Sequence, residues 1–171
     1  RYLFRGNLEV TLTPVIEEIE ARLSWRLARF RPLRERVDRV GEALLCLKEK
    51  GIPLPGAAIA LSPWTDLKNS GESWSTNAEL DNLCWRDAQT VFAEYYAGDN
   101  DPAMPLISPL YGDLSGLPPL LIYAGSDELM RDDSTRFAAR AKAAGVDTTL
   151  RIGKGLFHCY PACSPLFPEA K

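Results

Sequence analysis

Three short apolar runs, separated by segments of helical pattern, constrain the fold of this chain more than any other feature. The runs are 57–61, 120–124 and 148–152, and the helical segments between them are 82–97 and 129–144. Buried strands that alternate with helices are typical of a parallel sheet covered by helices. The sequence therefore predicts an α/β fold with a mostly parallel sheet and flanking helices.

Capping residues set the expected limits of these helices. Asp81 is a suitable N-cap for the first helical segment, and Gly98 is a suitable stop. Gly145 ends the second segment in the same way, and a final short helix is expected after Pro161.

The amino-terminal part of the chain has a different pattern. From Ile16 to Leu47 apolar residues recur in steps of three and four, which predicts an amphipathic helical segment. Pro32 interrupts it, because proline lacks a backbone donor and clashes with the preceding turn. Two helices are therefore expected, over 14–30 and 32–50. Their apolar stripe either docks on the rest of the domain or forms a pairing seam with another helix.

We accordingly expect one domain over 1–171, with a helical segment at 1–50 and the α/β part at 51–171. Hydrophobic residues make up 46% and charged residues 25% of the chain, as in globular proteins. No apolar run approaches the ~18 residues of a membrane span. The net charge of −3 comes without a cluster of unopposed basic residues, which argues against nucleic-acid binding. These features predict a cytoplasmic protein, and the start at Arg1 rather than Met predicts a processed product or a fragment.

The metal-ligating residue types are few. The four cysteines, which form no C-x-x-C pair, are Cys46, Cys84, Cys159 and Cys163, and His158 is the one histidine. This spacing excludes the common zinc sites. We expect free thiols that pack as small apolar side chains, and we predict neither a metal nor a cofactor.

Two candidate segments follow predicted strands: the acidic turn at 125–128 and the segment 155–158, which ends at the lone histidine, His158. Ligands bind at the carboxyl ends of parallel strands, because the loops there converge. A carboxylate that accepts the Nδ1 proton of an imidazole holds the tautomer that a general base needs. An alternative is that Asp127 or Glu128 only supplies negative charge to the next helix, and that His158 is an ordinary structural residue.

Several ordered motifs together resemble the carboxyl-terminal half of the hormone-sensitive-lipase-like α/β-hydrolases. They lie at 54–67, 107–111, 117–122, 125–129 and 157–158. The resemblance implies a partial α/β-hydrolase fold and a serine carboxylesterase acting on small or medium acyl esters, with His158 as general base. Aligned without a gap on Arg131, the family pattern places the acid at Glu128. Asp127 fits only with one inserted residue, and Asp132 and Asp133 then take outer or capping positions.

The chain also departs from this family. It contains no Gly-x-Ser-x-Gly nucleophile elbow and no His-Gly-Gly-Gly segment for an oxyanion hole. Ser24 lies in the predicted amphipathic segment, and Ser62 and Ser108 each precede a proline, so none has the elbow context. The chain alone is therefore predicted to be inactive.

Three explanations remain open: a fragment of a longer esterase, an inactive homologue that binds a small ester or apolar carbonyl ligand, and an interaction module. An exposed sheet edge or the helical segment would also allow a homo-oligomer.

Overall fold

The computed structural model describes residues 40–163 together with residues 166 and 168. Its helices and strands, in chain order, are α1 (Val40–Glu49), β1 (Ala58–Leu61), α2 (Ser73–Thr76), α3 (Arg86–Ala97), β2 (Leu120–Gly125), α4 (Arg131–Ala143) and β3 (Thr148–Gly153). Short 3₁₀ helices lie at Pro109–Tyr111 and Tyr160–Cys163.

The described strands form one parallel sheet in the order β1-β2-β3. Leu61 pairs with Tyr123, and Gly125 pairs with Gly153, so the three strands end along the same edge of the sheet. This arrangement confirms the predicted α/β fold with a parallel sheet, and it brings the loops that follow the strands together.

The core lies between the sheet and helices α1 and α4. Helix α4 packs on β2 and β3, and α1 packs on β1. The alternate side chains Leu120, Ile122 and Ala124 of β2 are buried, as expected for a strand with one face on the core. Both helices also contact the 3₁₀ helix Pro109–Tyr111.

The predicted start of α3 at residue 82 is wrong. Asp81 does not cap this helix, because its Oδ1 accepts hydrogen bonds from the N–H groups of Leu83 and Cys84, both at 2.9 Å. The side chain thereby closes a turn ahead of the helix, and the residue at the N-cap position is the extended Trp85. The expected stop is observed at Gly98, whose φ of 58° favours glycine.

The amino-terminal pattern is described only from Val40 onward. Leu44 and Leu47 are buried in the core, and Val40 packs against it. The first predicted helix, at 14–30, and the break at Pro32 lie outside the described residues. The short helix expected after Pro161 is a 3₁₀ helix that already begins at Tyr160.

Candidate active site

The loop after β2 places Glu128 inside the molecule. Its side chain is fully buried, and its Oε2 atom accepts hydrogen bonds from the Ser62 hydroxyl at 2.7 Å and from the backbone N–H of Gly125 at 3.2 Å. Its Oε1 atom finds no hydrogen-bond partner among the described residues. One oxygen of the carboxylate is therefore held by two donors, while the other is unpartnered.

The loop after β3 brings His158 next to this carboxylate. The Nδ1 atom of His158 lies 3.8 Å from Oε2 of Glu128, within ion-pair range but longer than a hydrogen bond. Nδ1 is buried and has no hydrogen-bond partner in the described part of the chain. The His158 side chain is 22% exposed to solvent. Because Nδ1 is buried, the accessible part of the imidazole lies away from Nδ1.

Gly125 allows the two loops to approach each other. A Cβ atom at this position would overlap the carbonyl oxygen of Leu156, which belongs to the histidine loop. The same carbonyl accepts a hydrogen bond from the N–H of Asp127 at 3.2 Å. The absence of a side chain at Gly125 therefore lets the loop that carries His158 lie directly on the end of β2.

Asp127, the alternative acid, has a different environment. Its carboxylate accepts a hydrogen bond from the Ser126 hydroxyl at 2.5 Å, and that hydroxyl in turn accepts from the N–H of Gly155 at 2.8 Å. The ion-pair-range partner of His158 is Glu128. Of the two candidate acids, Glu128 is therefore the one with a carboxylate oxygen in ion-pair range of His158.

Burial disfavours the charged forms of both groups. It raises the pKa of Glu128 to about 7, although the hydrogen bonds from Ser62 and Gly125 act in the opposite direction. It also lowers the pKa of His158, against the smaller raising effect of Asp81. The imidazole is therefore held in its neutral form near neutral pH, which is the form that can accept a proton as a general base.

Two polar residues hold the Glu128 loop from the side of α2. The amide of Asn77 donates hydrogen bonds to the backbone carbonyls of Ser126 and Glu128, both at 2.9 Å. Oδ2 of Asp81 accepts one from the N–H of Leu129 at 2.8 Å. The backbone on either side of the candidate acid is thus fixed by buried side chains. The sequence patterns indicate Asp81 only as a helix N-cap and do not indicate Asn77.

The outer or capping position expected for Asp133 is wrong. Asp133 is fully buried and accepts hydrogen bonds from the N–H groups of Thr65 at 2.9 Å, Asp66 at 2.7 Å and the Trp74 indole at 3.0 Å. It fixes the loop after β1, whereas Asp132 accepts from the N–H of Ser73 at 2.9 Å. Burial raises the pKa of Asp133 to about 7, and the N–H donors oppose this effect.

Ser62 is the polar neighbour of Glu128 that sequence reasoning set aside. Its place before Pro63 argues against a role as nucleophile and gives no direct sign of a structural role. Its position directly after a predicted strand was a usable signal, since the loops after parallel strands converge.

Metal binding and membrane crossing find no support in the described ranges. No group of three or more His, Cys, Asp or Glu side chains there could hold a metal ion. None of the helices there combines the length and the apolar character that crossing a membrane requires. The four cysteines, all among the described residues, form no disulfide; Cys46 and Cys84 are buried, while Cys159 and Cys163 are partly buried.

Comparison with known proteins decides the family. A family model described as the alpha/beta hydrolase fold (Abhydrolase_3) matches residues 40–162. The chain belongs to this family. The match covers the whole described sheet and both loops that carry Glu128 and His158.

Relatives of this alpha/beta hydrolase are esterases. The chain is 40% identical over 129 residues to an acetyl-hydrolase of Streptomyces hygroscopicus. The matched region covers 75% of this chain and 43% of the relative. It is 37% identical over 128 residues to an esterase of Acinetobacter venetianus, which covers 74% of this chain and 42% of that protein. The chain therefore spans less than half the length of these relatives.

Solved structures confirm the hormone-sensitive-lipase resemblance. An esterase from the bacterial hormone-sensitive lipase family is 43% identical to this chain and superposes with a TM-score of 0.74. The superposition covers 77% of this chain and 44% of that structure. A hormone-sensitive lipase from a metagenome library is 40% identical, with a TM-score of 0.72 over 76% of this chain and 46% of the other. The described residues thus form part of an alpha/beta-hydrolase fold.

Proposed function

We propose that this chain supplies the acid and histidine part of a serine carboxylesterase active site, with Glu128 as the acid and His158 as the general base. The observation that carries the proposal is the 3.8 Å separation of Glu128 Oε2 and His158 Nδ1 at the carboxyl edge of a parallel sheet. The family membership and the esterase relatives support it.

In this proposal the two residues divide the proton chemistry. His158 takes the proton of a nucleophilic hydroxyl during attack on the ester carbonyl and returns it to the leaving alcohol. Glu128 accepts a hydrogen bond from the Nδ1–H group, which keeps the proton on Nδ1, fixes the tautomer and stabilises the imidazolium that forms. Small to medium acyl esters are the proposed substrate class.

The nucleophile and the oxyanion donors are not among the motifs of this chain. Without a Gly-x-Ser-x-Gly elbow, the base has no positioned hydroxyl to activate. We therefore propose that the chain is inactive alone and that a segment equivalent to the unmatched part of its relatives completes the site.

A chimera tests this function directly. Residues 40–163 would replace the matching segment of the Streptomyces hygroscopicus acetyl-hydrolase, and p-nitrophenyl acetate hydrolysis would be measured. We expect activity that falls about 10³-fold or more in His158→Ala and substantially in Glu128→Ala, as for other triad members.

Asp127→Asn in the same chimera is the matched control, because Asp127 is the neighbouring carboxylate and bonds to Ser126. It should keep most of the activity. A folded chimera without activity, or one that loses activity only in Asp127→Asn, would contradict the proposed assignment.

An interaction module is the second candidate, and exposed apolar side chains on and near α3 favour it. Trp85 is 68% exposed, Leu83 57% and Tyr95 56%. Exposed apolar side chains mark a protein-binding site where they form one contiguous patch, so this candidate requires the three side chains to lie together. Concentration-dependent association in analytical ultracentrifugation, abolished by Trp85→Ser, would support this candidate, and a monomer at all concentrations would contradict it.

A further inference from the structure

Ser62 occupies an unusual backbone position at the end of β1. It directly follows Leu61, its φ is 49°, and it is 2% exposed. A non-glycine residue in the left-handed region costs conformational energy and persists where surrounding contacts hold it. Its backbone N–H continues the sheet by donating to the carbonyl of Tyr123 at 2.7 Å.

The Ser62 hydroxyl joins the two loops of the candidate site. It donates to Oε2 of Glu128 at 2.7 Å and accepts from the backbone N–H of Cys159 at 2.8 Å. Cys159 follows His158 directly, so one buried hydroxyl contacts both the acid and the backbone beside the histidine.

These contacts have a defined direction. The Cys159 N–H donates to a lone pair of Ser62 Oγ, so the Ser62 hydroxyl acts as an acceptor on that side. Its own proton then points at Oε2 of Glu128. Oε2 also accepts from the Gly125 N–H. With two donors already aimed at it, Oε2 stays an acceptor, and a proton on Glu128 would reside on Oε1.

We infer that Ser62 is a positioning residue, which holds Oε2 of Glu128 as the acceptor that faces Nδ1 of His158 and ties the histidine loop to the acid. This inference rests on the proposed function and adds a residue to it. Ser62 acts through Glu128 and the loop backbone.

The single histidine of the chain provides a direct readout. Nitrogen-15 NMR of the histidine-labelled 171-residue protein reports the Nδ1–H and Nε2–H tautomers of His158 without any need for activity. We expect the Nδ1–H form to predominate in the wild type. Ser62→Gly removes the hydroxyl while suiting the positive φ, and it should lower the ratio of Nδ1–H to Nε2–H by about 2- to 10-fold, the size that one net hydrogen bond supports.

Two further variants separate positioning from stability. Ser62→Thr keeps the hydroxyl and should retain the wild-type ratio, even though its β-branched side chain makes the positive φ more costly. Ser126→Ala is the matched control, because its hydroxyl also links the acid loop to the histidine loop, through the Gly155 N–H, and bonds to Asp127 rather than Glu128. It should leave the ratio unchanged.

Glu128→Gln distinguishes failure of this inference from failure of the proposed function. If Glu128→Gln shifts the tautomer ratio and Ser62→Gly does not, the acid role stands and the positioning role is overturned. If Glu128→Gln itself has no effect, the proposed acid role falls. An equal shift in Ser126→Ala would show general loosening of the loops and would also overturn the inference. Should Ser62→Gly not fold, the same comparison is made with Ser62→Ala.

Discussion

The Oε2 atom of Glu128 lies 3.8 Å from the Nδ1 atom of His158, although the two residues follow different strands. They meet because β2 and β3 are parallel neighbours whose ends are in register at Gly125 and Gly153. The separation is slightly longer than a hydrogen bond, so a small loop adjustment would convert the contact into one. Such tightening on substrate binding is common for catalytic pairs.

Stability should depend on pH through Glu128. Its pKa in the folded protein is about 7, above its ordinary 4.5. Below pH 4.5 the carboxyl is protonated in both states, and between 4.5 and 7 the unfolded chain releases its proton first. The free energy of unfolding should therefore fall as pH rises through this window, by roughly 1 to 3 kcal/mol from this group.

Glu128→Gln removes this titrating group, whereas Asp133, whose pKa is also raised by burial, stays in both proteins. Urea unfolding at several pH values should give a wild-type minus variant difference that decreases from pH 4.5 to 7. A difference that is constant with pH would mean that Glu128 titrates at its ordinary pKa.

Gly125→Ala should displace the histidine loop. The added Cβ would overlap the Leu156 carbonyl oxygen, a backbone atom that can move only with its loop. We expect a loss of about 1 to 3 kcal/mol in the free energy of unfolding, together with a changed His158 NMR signal. Gly56→Ala is the control, because nothing lies within 4 Å of its added Cβ. Equal stability of the two variants would contradict the close approach at Gly125.

Asp133 should be important for folding rather than for proton transfer. Asp133→Leu leaves the N–H groups of Thr65, Asp66 and Trp74 without their acceptor. Each unsatisfied buried donor costs about 1 to 3 kcal/mol, so this variant should lose 3 kcal/mol or more. Asp133→Asn keeps one acceptor oxygen and should lose less. Denaturant unfolding would reveal the order, and a Leu variant as stable as the Asn variant would refute it.

The isolated chain should lack serine-hydrolase activity. A fluorophosphonate probe should not label it, and p-nitrophenyl acetate should be hydrolysed no faster than by free imidazole at the same concentration. The physical reason is the missing nucleophile elbow and oxyanion motif. Stoichiometric labelling of one serine, abolished by His158→Ala, would show that the chain carries its own nucleophile.

The local patterns of the sequence were sufficient to predict the sheet. The runs at 57–61, 120–124 and 148–152 became β1, β2 and β3 with limits shifted by at most one residue. The apolar composition of buried parallel strands and the glycine stops of the helices are properties of neighbouring residues, so they can be read along the chain. Because parallel strands end along one edge, the same patterns also indicated that the loops of Glu128 and His158 would converge.

Contacts between distant segments decided the rest. The burial of Asp133, the contact of Asp81 with the Leu129 N–H and the bridge made by Ser62 each depend on partners from other loops. An aspartate beside a helix start or a serine before a proline has the same local sequence whether it is exposed or buried. Local patterns along the chain indicate where the three strands and the longer helices form. The enclosure of polar side chains with their partners cannot be read from these patterns, because burial and hydrogen bonding arise from packing between distant segments at the sheet edge.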